Sequence, residues 1–219
     1  MTTVVGYLTF DCYGTLIDWR KGIDDSFRKF AEMGNSQNAD IFENYLRIES
    51  KKESSYSSYR DILAGTFLDL ANLFGLSTST EKARGFADSV ASWPPFDDTV
   101  SSLTELGKKG YKRIILSNVD RDLLKETIST NKLEVDGYIT AEDIKSYKPQ
   151  EAHWLRMLDE FGIRKEEVIH IAGSIYHDIV PASRLGFRTI WVNRYQEKKP
   201  TSVKPDYTVS SLSDVLTLI

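Results

Sequence analysis

Leu8-Thr9-Phe10-Asp11-Cys12-Tyr13-Gly14-Thr15-Leu16-Ile17-Asp18 is the stretch on which the reading of this chain turns. An apolar run from Val4 to Phe10 delivers an aspartate into a glycine-containing turn, with a threonine close behind. A run that is apolar on both faces predicts a central strand of a parallel sheet. The Asp11 carboxylate then sits just beyond the strand's C-terminal end, the edge at which open α/β sheets bind ligands. Taken alone, Asp11 fits equally well as the cap of the next helix.

Three further segments bear on that choice. They are Ile114-Ile115-Leu116-Ser117-Asn118, then Ser146-Tyr147-Lys148-Pro149, then Ile169-His170-Ile171-Ala172-Gly173-Ser174 running on through Ile175-Tyr176-His177-Asp178. All but the lysine segment are apolar strands that end in small polar groups, and a doubly wound sheet brings such ends together. From Phe96 onward the rhythm predicts helix 98–108, strand 112–117, helix 121–130, strand 136–140, helix 150–162, strand 167–172, helix 177–185, strand 187–193, strand 206–209 and helix 211–218. Between Ile17 and Trp93 the spacing is helical throughout, with helices at 20–33, 37–54, 58–75 and 79–92, the second ended by the serine-rich stretch from Ser54. Trp93-Pro94-Pro95 makes a stiff return.

In this order the four segments resemble the motifs of the haloacid dehalogenase superfamily of hydrolases, and they span nearly the whole chain. Within it, Asp11-Cys12-Tyr13-Gly14-Thr15 looks like the type II 2-haloacid dehalogenases. The strings Leu8 to Trp19 and Ser174-Ile175-Tyr176-His177-Asp178 look like a related branch, azetidine-2-carboxylate hydrolase. The fold this implies is a Rossmannoid α/β core, a doubly wound parallel sheet made of residues 1–16 and 96–219, with a helical cap domain, 17–95, inserted into it.

The resemblance also implies roles. Asp11 is the nucleophile, since a carboxylate can attack carbon or phosphorus and give an ester-like intermediate. Lys148 offsets its desolvation, because burial raises an aspartate pKa by up to about 3–5 units and a nearby cation lowers it by about 1–3. Thr15, Ser117 and Asn118 are short donors suited to holding a carboxylate or a leaving anion. Asp178 orients or activates the water that cleaves the intermediate, with helix capping after Ser174 as its structural alternative. Tyr13 and Trp154 form an apolar wall, or Trp154 packs in the core. Arg47 is the candidate for a substrate carboxylate, because a planar guanidinium binds both oxygens. His177 neighbours Asp178, Cys12 reads as buried packing, His153 as helix surface and His170 as part of a strand.

Metal use separates the branches. Family phosphatases carry a second acid two residues after the nucleophile and another just before the fourth-motif serine, as Mg²⁺ wants several hard oxygens. Here those positions are Tyr13 and Gly173. The expectation is therefore cofactor-free, metal-independent hydrolysis of a small 2-substituted carboxylic acid, by C–halide or strained-ring C–N cleavage. The alternatives are a Mg²⁺-dependent small-metabolite phosphatase and a non-catalytic homologue that binds a small anion or a protein. Gly173 and Ile175 replace the serine and asparagine of the dehalogenase fourth motif.

Composition bounds the rest. A chain of 219 residues, 41% hydrophobic with a net charge of -4, can bury a sizeable core and argues against nucleic-acid or anionic-membrane binding. Lys198-Lys199 reads as a solvated loop. No apolar run approaches the roughly 20 residues that cross a bilayer. Met1-Thr2-Thr3 lacks a basic signal region and the single cysteine forms no internal disulfide, so a cytoplasmic monomer or homodimer acting on a small molecule is expected.

Overall fold

In the computed structural model, residues 5–34, 40–53, 55–198 and 203–219 are described; residues 1–4, 35–39, 54 and 199–202 lie outside them, and with them Val4, the start of the helix expected at 37–54, Ser54 and Lys199. Six parallel strands form one sheet in the order β3-β2-β1-β4-β5-β6. They are β1 Tyr7–Phe10, β2 Lys112–Ser117, β3 Gly137–Thr140, β4 Val168–Ala172, β5 Arg188–Val192 and β6 Tyr207–Val209. Alternation splits the strands between two cores. Leu8, Phe10, Ile115, Ile171 and Ile190 join one, and Ile114, Leu116 and Val168 join the other with Trp154, Met157 and Phe187. Burial on both faces is what a parallel sheet requires.

Four helices lie between β1 and β2: α1 Trp19–Phe30, α2 Ile41–Lys52, α3 Tyr59–Leu73 and α4 Thr80–Ser89. Each starts on a residue whose short side chain accepts a hydrogen bond from a first-turn amide: Asp18 from Lys21, Asp40 from Glu43, Ser58 from Asp61 and Ser79 from Lys82. Phe27, Phe67, Phe74 and Phe86 knit α1, α3 and α4, with ring centroids 5.2–5.9 Å apart along the chain of contacts. The chain leaves the sheet for these helices and returns to it side by side, as Asp18 N donates to Pro94 O at 2.8 Å and Phe96 N to Leu16 O at 3.1 Å. Asp120, just past β2, holds the start of α3, accepting from the amides of Tyr59 and Arg60 at 2.9 Å each, where the positive end of the helix favours a carboxylate.

The later helices are α5 Thr99–Lys108, α6 Arg121–Thr130, α7 Ala141–Ile144, α8 Ala152–Phe161, α9 Val180–Leu185 and α10 Leu212–Val215. Three differ from the sequence expectation. The one-turn α7, closed by a reciprocal Thr140/Asp143 cap, was not foreseen, because four residues carry no periodicity. The helix expected at 177–185 begins earlier, as a wide π turn over Ile175–Ile179. The helix expected at 211–218 stops at Val215. His153 is also not on the surface. It lies on the buried face of α8, fully covered, with Nε2 3.1 Å from the Ser117 carbonyl oxygen. Among the described residues no helix is long and apolar enough to cross a membrane.

Gly22 in α1 marks the tightest joint between the insertion and its return. A Cβ there would lie 2.3 Å from Trp93 Cγ, and the same indole donates to Ser26 Oγ at 2.9 Å. Helix propensity favours alanine over glycine by about 0.5–1 kcal/mol, whereas overpacking costs about 1–3 kcal/mol. Overpacking wins, so Gly22→Ala should lower the urea midpoint at an unchanged slope; a higher midpoint would show that the joint is looser than its geometry.

Candidate active site

β1 ends at Phe10 and hands Asp11 to a turn in which Gly14 takes a φ of +96°, a backbone conformation that favours glycine. Both oxygens of Asp11 are engaged. Oδ1 accepts from Lys148 Nζ at 2.8 Å and Oδ2 from Thr15 Oγ1 at 2.7 Å, while Thr15 Oγ1 in turn accepts from Gly173 N at 2.8 Å. Lys148 spends its other two ammonium hydrogens on Asp178 Oδ1 at 2.7 Å and Leu116 O at 2.9 Å. Asn118 fixes the lysine's backbone from both sides: Nδ2 donates to Lys148 O at 3.0 Å, and Oδ1 accepts from Lys148 N at 2.7 Å. A side chain expected to face a ligand anion thus has its amide committed to the lysine loop.

Burial is the dominant force on these groups, and charge opposes it. For Asp11, desolvation outweighs the neighbouring Lys148 ammonium and leaves the carboxyl above its ordinary value. For Asp178 the same desolvation is overcome by Lys148 and His170, which hold it down at about 2. Burial alone would depress the Lys148 ammonium, yet the two carboxylates keep it above its ordinary value. The arrangement is a buried cation clamped between two acids, with Asp178 the more firmly ionised of the pair. His170 Nε2 sits 3.1 Å from Asp178 Oδ1, and its Nδ1 lies 2.8 Å from Thr9 Oγ1. Asp178 Oδ2 and Ser117 Oγ are buried without a hydrogen-bond partner among the described residues.

Above these groups is a cavity of about 490 Å³. Asp11, Lys148, Asp178, Ser117 and Asn118 form its floor, and Tyr13, Phe42, Leu46 and Glu49 line it further, with Ser174 and His177 at the β4 end. The Tyr13 ring is held by its hydroxyl, 2.8 Å from Thr127 Oγ1, and by an edge contact with Trp93. Ser174 Oγ accepts from His177 N at 3.1 Å, so the capping expected after Ser174 is present in the same turn that carries Asp178. His177 Nε2 lies 3.7 Å from Glu53; burial pushes the imidazole down, Glu53 pushes it up, and the net shift is upward.

Two expected site residues are elsewhere. Trp154 is fully buried under the sheet, 5.2 Å from the His170 ring, and does not line the cavity; α8 turns it inward with His153 and Met157. Arg47 is exposed, bonds Asn44 Oδ1 at 3.2 Å and also lies off the cavity, because its position on α2 faces outward while Tyr45 and Glu49 face inward. The arginines that do line the cavity are Arg20, stacked on Phe42 and Tyr195, and Arg194, whose guanidinium is committed to the Thr15 carbonyl and Asp98.

The model of the haloacid dehalogenase-like hydrolases matches residues 8–192 of the chain, which takes in every group of this floor. The chain belongs to that family. Its curated relatives include the (S)-2-haloacid dehalogenase 4A of Burkholderia cepacia, 28% identical over 96% of this chain and 93% of the relative. The (S)-2-haloacid dehalogenase 1 of a Pseudomonas species is 26% identical over 96% and 94%. Among solved structures, an L-2-haloacid dehalogenase from Xanthobacter autotrophicus with chloropropionic acid covalently bound superposes with a TM-score of 0.87 at 19% identity, over 98% of each chain. That likeness establishes the shared fold.

This haloacid dehalogenase-like hydrolase carries three groups that sequence reasoning passed over. Thr9 and His170 are polar residues inside otherwise apolar strands, paired in register across β1 and β4, which was a readable signal. Arg20 carried none. His153, buried and neutral, is held down to about 3 from an ordinary 6.5, with burial the first cause and the Lys148 charge the second. Because its pKa is depressed on folding, the unfolded chain takes the proton first as pH falls below 6.5. Between pH 7 and 4.5 the wild type should therefore lose roughly 2–3 kcal/mol more stability than His153→Gln in urea unfolding; equal losses would show that His153 protonates in place.

Proposed function

We propose that the chain hydrolyses a small 2-substituted carboxylic acid through an ester on Asp11, without a metal. The observation that carries this reading is the Lys148 ammonium lying between Asp11 and Asp178, 2.8 and 2.7 Å from their oxygens. An Asp11 oxygen attacks carbon 2, the carbon–halogen or strained carbon–nitrogen bond breaks with its electron pair, and an ester forms. Asp178 Oδ2, which has no partner among the described residues, accepts a proton from water as that water attacks the ester carbonyl. The 2-hydroxy acid leaves inverted and Asp11 is regenerated with a water-derived oxygen. The unpartnered Ser117 hydroxyl, together with Arg20, supplies donors for the substrate carboxylate. In this reading residues 17–95 act as a cap over a core of 1–16 and 96–219, and relatives that bear the name (S)-2-haloacid dehalogenase support the substrate class.

The donor set does not fit the Mg²⁺ of a family phosphatase. Asp11 and Asp178 are both turned onto the lysine, and among the described residues no group of three or more acids, histidines or cysteines is placed to hold a metal. Nor can the missing acid be accommodated at Gly173, where a Cβ would lie 2.6 Å from the Gly14 carbonyl oxygen.

Bromide release from each enantiomer of 2-bromopropionate, in excess EDTA, tests the proposal. Wild type should release bromide from the (S) form and yield (R)-lactate, and Asp11→Asn should be slower by about a thousandfold or more. Undiminished release by Asp11→Asn, or activity restricted to phosphate esters with Mg²⁺ restored, would overturn it.

A further inference from the structure

A second polar cluster opens into the same cavity from the cap side, and displacement at carbon 2 uses none of it. Glu49 on α2 is 6% exposed, and its Oε1 accepts from the hydroxyls of Tyr45 at 2.8 Å and Tyr59 at 2.6 Å. Its Oε2 has no partner among the described residues, and the side chain lines the cavity. Glu53, one turn further on, lines it too. Burial first and the Glu53 carboxylate second push the Glu49 carboxyl up to about 7, so a cation arriving beside Oε2 would draw it into the ionised form, and among the described residues the cations that line the cavity are directed elsewhere. Lys148 is spent on Asp11, Asp178 and Leu116, Arg194 on Thr15 and Asp98, and His177 faces Glu53. Arg20 lies over Phe42 and Tyr195, 3.9 Å from Glu43.

Resting on the reading that the substrate occupies this cavity, we propose that Glu49 is the receptor for a protonated nitrogen on that substrate. The site then selects small carboxylic acids that also carry an ammonium group over uncharged ones of the same size. The two tyrosines fix one oxygen and leave the other to accept an N–H donor, and a positive donor is favoured over a neutral one by the additional carboxylate of Glu53. An anionic group placed there would meet repulsion from both acids.

Calorimetric titration with unreactive matched pairs tests this: butanoate against 3-aminopropanoate, pentanoate against 4-aminobutanoate, and 3-hydroxypropanoate as a neutral donor of the same length. At least one ammonium-bearing acid should bind wild type tenfold or more tighter than its alkanoate partner and than the hydroxy acid. Glu49→Gln should erase that preference, whereas Tyr59→Phe, which keeps the carboxyl group but loses one of the hydrogen bonds that favour its ionised form, should retain it at pH 8.5. Equal affinities within both pairs, no binding by any member, equal binding of the hydroxy acid, or a preference that survives Glu49→Gln would each overturn the proposal. Binding needs no turnover, so loss of the ammonium preference is read apart from failure of bromide release, which bears on the reaction alone.

Discussion

The buried contact of Lys148 with Asp11 and Asp178 is the constraint on which this molecule depends. Two carboxylates this close to one point in a dry interior cannot both stay ionised unaided, since removing charge from water is expensive and like charges compound it. One ammonium facing both, itself fully hydrogen-bonded, makes the arrangement tenable. Much of the surrounding structure serves to hold that nitrogen in place. Asn118 clamps the lysine's backbone, the Leu116 carbonyl takes its third hydrogen, and His170, backed by Thr9, steadies Asp178 from behind. Leu116 and Asn118 come from β2 and its end, Thr9 from β1 and His170 from β4, so the sheet order, with β1 between β2 and β4, is a requirement of the site.

A buried lysine also decides which chemistry the floor accommodates. Where a divalent ion would need oxygen ligands directed at one point, the oxygens here are directed at Nζ. The close approach of Gly173 to Gly14 ties the fourth segment to the turn after Asp11 through the Gly173 N to Thr15 Oγ1 bond, and it leaves no room for a side chain. The same contact that orients Asp11 thus excludes a further acid. Asp11 keeps a carboxyl raised by burial and restrained by its cation, while Asp178 stays ionised, as the proposed attack of water on an Asp11 ester requires.

Most of the core was legible because its physical signals are local. Apolar runs ending in small polar residues located the strands, and β2 and α6 match their expected bounds of 112–117 and 121–130. The position of Asp11 just past the end of β1 was legible for the same reason. What escaped was decided by three-dimensional register. Arg47 and Glu49 are two residues apart on α2, and only the packing of that helix tells which of them faces the cavity. Trp154 and His153 are neighbours on α8, and the packing of that helix under the sheet is what turns both inward. Thr9 and His170 were visible as polar interruptions of strands, yet their pairing follows from the alignment of β1 with β4.

The proposed reaction passes through Asp11 itself. A single-turnover reaction in H₂¹⁸O, with enzyme in excess over (S)-2-bromopropionate, separates the two fates of the water oxygen. An ester on Asp11 predicts unlabelled lactate and one ¹⁸O in the peptide that contains Asp11. Labelled lactate in the first turnover with an unlabelled peptide would mean that water attacks the substrate directly, and would contradict the central claim.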